Sequence, residues 1–181
     1  MNPKTFSIEE FRDHLLDEGL VRSKDVVGCS EAEIDELMRV QRVSRIPGLY
    51  RDFLRVMGKS PYPLLSGTDW SYEDLLRIKE SAREILAEDG ADPGILDDAL
   101  VIAMHQGYVI YYLPAIGAAG DDPGVWNYIE EEQPTNPWPT FRAFLLSLIE
   151  LRREELGVYR DLEAGGRFTM TQVEENGDPL D

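Results

Sequence analysis

Few side chains in this 181-residue chain have types suited to catalysis, and their spacing limits what each could do. There are two histidines, His14 and His105, and one cysteine, Cys29. An imidazole acts as a general base only with a nucleophile in hydrogen-bond reach. His14 falls on a surface helix and His105 at a hairpin turn, far apart in the chain. Cys29 stands just before a helix start, where the helix end lowers a thiol pKa and favours the nucleophilic thiolate. The alternative is a small buried hydrophobe packing as part of a hydrophobic staple, and its neighbours suit that role better. The other candidates are acidic: Asp121 and Asp122 in a loop, and the run Glu130, Glu131 and Glu132. Oxygen ligands at such spacing can bind Ca²⁺ or Mg²⁺, but neither cluster has the central glycine and distal glutamate of an EF-hand. Patterns for a serine nucleophile elbow, a phosphate loop, a dinucleotide fold or a zinc helix are absent. The sequence thus predicts a non-enzymatic chain with no cofactor, no metal and no catalytic residue.

The same acidic residues suit docking. In VWNYIEEE, residues 125–132, Trp126 and Tyr128 alternate onto one strand face with Glu130, so two aromatic anchors border acid. Interfaces concentrate binding energy in Trp and Tyr with a polar rim. The expected partner-binding set is therefore Asp121, Asp122, Trp126, Tyr128, Glu130, Glu131 and Glu132. The competing reading buries Trp126 and Tyr128 beneath a helix, because sheets normally cover one face.

Charge narrows the partner. The chain carries 18 basic and 35 acidic side chains, a net of −17, and the imbalance is uneven. Residues 1–60 sum to −1, residues 61–120 to −7 and residues 121–181 to −9. Nucleic-acid phosphates and anionic membrane surfaces demand the opposite sign. A strongly negative field instead attracts and orients a basic protein. Solubility alone is the other explanation of the charge.

A chain of this length favours one domain with a single core. Its 43% hydrophobic and 29% charged content is ordinary for globular proteins. No apolar run approaches the roughly 20 residues of a membrane span. The start, MNPKTFSIEEF, lacks a basic segment followed by an apolar one, and one cysteine allows no internal disulfide. A cytoplasmic location is expected.

The elements that position these residues are marked by caps and periodicity. A helix over Ser7–Glu18 begins with Ser7 and Glu10 as a capping box and ends at Gly19. Ser30 with Glu33 caps a second, with Ile34, Leu37, Met38 and Gln41 on one face. Pro47 opens a third, with Leu49, Tyr50, Phe53, Leu54 and Met57 apolar and Gly58 as a left-handed cap. KSPYPLLSGTDW reads as a loop. Ser71 with Asp74 starts one long helix to Gly90. ALVIAM and GYVIYYL flank His105–Gln106–Gly107 as a β-hairpin, followed by a strand at VWNYIEEE. A last helix follows NPWPT, with Phe141, Phe144, Leu145, Leu148 and Ile149 apolar and Gly157 as its stop. RFTMTQV is either a short strand or part of a tail that orders on a partner.

The order of residues from Ser30 to Gly58 resembles the opening motif of the SUKH superfamily, carried by Ser30, Glu33, Ile34, Leu37, Pro47, Tyr50, Phe53, Leu54 and Gly58. Ile46 departs from the leucine more usual before the proline. Phe141, Phe144 and Leu145 resemble the family's later F-x-x-F-L pattern, so the resemblance spans about residues 28–153. It implies an α+β single domain, with N-terminal helices packed against a small, mainly antiparallel sheet and a C-terminal helix. Residues 1–157 form that domain and 158–181 an acidic extension. The superfamily holds yeast regulators of cell-wall glucan synthesis and many bacterial immunity proteins. The resemblance therefore implies a protein that binds and neutralises a toxin domain, basic and of nuclease type where the charge is the guide. An intracellular regulatory scaffold is the alternative, and an unrecognised hydrolase or metal-dependent enzyme a third.

Overall fold

A computed structural model describes residues 6–114, 117 and 120–164, with the backbone alone at Tyr62 and 160–164. Helices α1 (Ile8–Asp17), α2 (Glu31–Val40) and α3 (Gly48–Met57) come first. A two-residue strand β1 (Thr68–Asp69) precedes α4 (Tyr72–Leu75) and α5 (Ile78–Glu88). Strands β2 (Leu100–His105), β3 (Val109–Leu113), β4 (Val125–Ile129) and β5 (Thr135–Trp138) lead into α6 (Phe141–Ala164).

Serines start the helices where the sequence places them. The Ser7 hydroxyl accepts the Glu10 N–H at 3.1 Å. At α2 the box is reciprocal: Ser30 accepts from the Glu33 N–H, and the Glu33 carboxylate accepts the Ser30 N–H at 2.8 Å. Ser71 and Asp74 repeat it at α4. Each box satisfies two backbone donors that a helix start otherwise leaves free.

The five strands form an antiparallel meander in the order β1-β2-β3-β4-β5. Helices cover both faces. On one, α5 packs on β2, and the Tyr128 hydroxyl of β4 donates to Asp89 at the end of α5 at 2.8 Å. On the other, Tyr111 of β3 meets Phe144 of α6 at 5.8 Å between ring centres. Tyr50 and Phe53 of α3 reach Phe141 of α6 edge-on, at 5.1 and 5.7 Å. A sheet covered twice needs strands apolar on both sides, and β2 is buried from Leu100 through Met104. Arg152 of α6, wholly buried, extends its Nε to the Leu20 carbonyl and an Nη to Glu155 at 2.9 Å.

One polar node joins the helices to the sheet. Gln41, just past α2, is 1% exposed. Its side-chain oxygen accepts the Val101 N–H at 2.8 Å, and its nitrogen donates to the Val101 carbonyl at 2.8 Å and the Leu75 carbonyl at 3.2 Å. The amide thus pairs with β2 as a neighbouring strand would. Beneath it, the Lys79 ammonium donates to the carbonyls of Gln41, Ala99 and Asp97 at 2.7, 2.8 and 3.3 Å. All three of its protons are used.

The structure departs from the sequence reading at several places. The Pro- and Gly-rich loop contains β1, which pairs Thr68 with His105 and Asp69 with Met104. The long helix from Ser71 is two, α4 and α5, broken at Leu76–Arg77. The segment before α6 forms β5, where Pro137 lacks an N–H and sits at a sheet edge that needs none. Gly157 does not stop α6, which runs on to Ala164. A helix tolerates an interior glycine at a cost of about 1 kcal/mol, and Leu156 beside it is anchored in the core at 5% exposure. Gly58 is right-handed, at φ −65°. It is glycine for want of room: a Cβ would lie 2.8 Å from the Leu54 backbone and 2.9 Å from Cys29 Sγ. The proposed strand or tail at RFTMTQV lies outside the described residues.

Two expectations follow. Replacing Gln41 by Leu strands the Val101 N–H and leaves carbonyls unpaired. It should lower unfolding free energy by roughly 3 kcal/mol in a urea titration, on the ~1–3 kcal/mol cost of each buried unsatisfied group. The second concerns acid. The Arg55 and Arg51 guanidiniums hold Glu31 down to about 2, and the Lys59 ammonium and Ser30 hold Glu33 down to about 2. A carboxylate whose pKa is lowered by folding stabilises the native state above its unfolded pKa. That contribution should fade as pH falls from about 4.5 towards 2. Thermal melts of Glu31→Gln/Glu33→Gln across this window should lose less stability with acid than the parent.

Candidate docking surface

The acidic residues divide between the two ends of β4. At its start, the loop after β3 is pinned to the helices. The Asp121 carboxylate accepts Arg45 at 2.7 Å, and its carbonyl accepts the Leu49 N–H of α3 at 3.0 Å. Asp122 accepts the Arg142 N–H at 2.9 Å and the Arg142 guanidinium at 2.9 Å, at the first turn of α6. Asp121 remains exposed, whereas Asp122 is half-buried. Both carboxylates are therefore neutralised by arginines of this chain, and their clearest role is to fasten the loop.

At the other end of β4 the picture is reversed. The turn into β5 holds Glu130, Glu131 and Glu132, all exposed. Glu131 takes φ 63°, and the Glu132 N–H returns to the Ile129 carbonyl at 2.9 Å, which closes the turn. The Glu130 N–H donates to the Tyr108 carbonyl at 3.0 Å, so the glutamates lie against the β2–β3 turn. That turn is built on Gln106 and Gly107, at φ 49° and 79°, a primed hairpin geometry that glycine makes accessible. It presents the ring of Tyr108, 39% exposed. Among the described residues, none of the three glutamates pairs with a cation. A β4 of five residues separates this group from Asp121 and Asp122 by about 17 Å, at ~3.3 Å per residue.

The aromatic anchors expected from the strand lie deeper than the alternation suggested. Tyr128 is 2% exposed and packed under α5, so it offers no surface to a partner. The reason is α5, which covers the face that carries Tyr128, as in the competing reading of a strand packed beneath a helix. Trp126 is half-buried against the core. Tyr108 is the exposed aromatic beside the acid, and sequence reasoning passed over it. Its position one residue after Gly107 at a hairpin tip was the available signal.

The catalytic candidates are placed as follows. The Cys29 thiol is 7% exposed, and burial, with Glu33 nearby, pushes it up to about 12, opposite to the lowering a helix start could give. His105 Nδ1 lies 2.8 Å from Thr68 Oγ1, but Thr68 is 2% exposed, and the contact ties β1 to β2. His14 lies 3.1 Å from Glu18 on α1. Among the described residues no group of three His, Cys, Asp or Glu is arranged to hold a metal ion. No helix of the described residues is long and apolar enough to cross a membrane.

The family model described as SMI1 / KNR4 family (SUKH-1) matches residues 28–147. No curated protein and no solved structure matches the chain. The matched span begins at Gly28 and takes in α2 through β5 and the first turns of α6.

Cys29 should resist thiol reagents in the native state. Labelling with a chromogenic disulfide should proceed only on the unfolding timescale and rise to full stoichiometry in denaturant. Fast labelling of the folded chain would mean a thiol open to solvent.

Proposed function

Since the chain belongs to the SMI1 / KNR4 family (SUKH-1), we propose that it is a non-enzymatic immunity protein that binds and neutralises a basic toxin domain. Family membership is consistent with an immunity or a regulatory module. The observation that favours the first is the exposed group Glu130–Glu132, unpaired among the described residues, beside Tyr108 at one end of the sheet. An aromatic anchor rimmed by carboxylates suits a basic, partly apolar counterpart. The net charge of −17 extends the field that would draw such a partner in. A toxin whose own substrate is a nucleic acid carries a basic cleft, and a carboxylate-rich turn can occupy it as the phosphates do. Asp121, Asp122 and Trp126 belong to the margin of this surface: Asp121 and Trp126 retain solvent exposure, while Asp122 serves mainly the loop. Action inside the cytoplasm, where self-protection is needed, accords with this role. A regulatory scaffold of the same family would use the same surface for a longer-lived assembly.

Electrostatic steering has a kinetic signature. With the partner captured from the native cell and purified, stopped-flow association should slow by about tenfold or more between low and physiological salt. Glu130→Gln/Glu131→Gln/Glu132→Gln should slow it at low salt while leaving the melting temperature unchanged. An association rate indifferent to ionic strength, or unaltered in the triple variant, would remove this surface from the account.

A further inference from the structure

A cavity of about 380 Å³ between the end of α2 and the start of α5 is opposite in sign to the rest of the molecule. Its wall includes Arg42, Arg77, Lys79 and Arg83 against Glu80 and Asp97, a local excess of two positive charges in a chain of net −17. We propose that this cavity binds a small molecule bearing phosphate, held by the guanidiniums of Arg42 and Arg77.

Three observations carry the assignment. First, two of the cations on the cavity are uncommitted. Arg83 is paired with Asp97 at 2.6 Å, but among the described residues the Arg42 and Arg77 side chains make no hydrogen bond or ion pair. In an acidic protein, where arginines such as Arg51, Arg55 and Arg153 are each paired with carboxylates, two guanidiniums unpaired among the described residues on one cavity stand out. A planar guanidinium meets two phosphate oxygens at once, which ammonium cannot do.

Second, the floor holds a buried ammonium that, among the described residues, makes no ion pair. Lys79 is 9% exposed and spends its three protons on backbone carbonyls. Burial, with Arg83 and Arg42 nearby, disfavours its charged form, and Asp97 and Asp98 offset only part of this. A buried ion is stabilised when an opposite charge approaches, and a dianion in the cavity supplies one. Third, the cations sit where a helix start least favours them. Arg77 and Lys79 flank the beginning of the 11-residue α5, whose positive end is stabilised by anions. Arg42 is also held at φ 54°, a conformation a non-glycine residue adopts at a cost of about 1 kcal/mol or more. The cavity's size falls within the range of small-molecule sites.

Inorganic pyrophosphate is a direct probe, titrated by calorimetry and by backbone amide shifts. The expected result is saturable one-site binding, with shifts centred on Arg42 and on Arg77 through Glu80. Arg42→Gln/Arg77→Gln should weaken it by about a hundredfold, tenfold for each guanidinium, at a charge-assisted bond's ~1.5–3 kcal/mol. Both arginines are exposed, so circular dichroism should show the variant folded. Arg12→Gln/Arg55→Gln removes the same charge elsewhere and should leave the affinity unchanged. No saturable binding, or equal weakening in the two double variants, would overturn the site.

Discussion

The side-chain amide of Gln41 is the contact on which the arrangement of the layers depends. Strand β1 is only two residues long and pairs with β2 at Met104 and His105, so the rest of that edge of β2 needs another partner. Gln41 supplies it at Val101, donating and accepting as a strand would. The same amide reaches Leu75 at the end of α4, and Lys79 below it gathers three carbonyls from two segments, one after α2 and one before β2. Helix α2, the α4–α5 pair and the sheet thus meet through polar groups that are each satisfied only when all are in place. A fully connected buried network specifies one geometry, because any shift strands a donor or an acceptor.

Most of this was legible where local chemistry is decisive. Ser30 with Glu33 and Ser71 with Asp74 cap as their spacing implies, and the hairpin of β2 and β3 lies where β-branched and aromatic residues concentrate. The chain failed to announce what depends on distant partners. β1 and β5 are too short and too rich in Thr, Asn and Pro to show a strand pattern, and they exist because a neighbouring strand offers its edge. Gln41 sits at the i+7 position of the α2 stripe and reads as one more inward residue. Its role requires Val101, 60 positions later. Gly58 reads as a left-handed cap, yet its reason is the close approach of Leu54 and Cys29. Of the candidate surface, the glutamate turn was visible as a charge run, whereas Tyr128 and Tyr108 exchanged places. Alternation marks a solvent face only when one side of a sheet is bare.

Charge has two separate uses in this fold. Asp121 and Asp122 are matched by Arg45 and Arg142 and hold the β3–β4 loop against α3 and α6. Exposed pairs of this kind contribute little stability each, but they fix where β4 begins. At the far end of β4, Glu130–Glu132 have no such partners among the described residues. The family identifies the scaffold, and the unmatched charge is the basis for proposing this end of it as the docking surface.

Hydrogen exchange read by mass spectrometry on the free chain and on its complex with the captured partner tests that distinction most directly. The account predicts slowed exchange in peptides covering 105–110 and 129–135, with α1 through α3 unchanged. Protection confined to the α1–α3 face, with both turns exchanging as in the free protein, would contradict it.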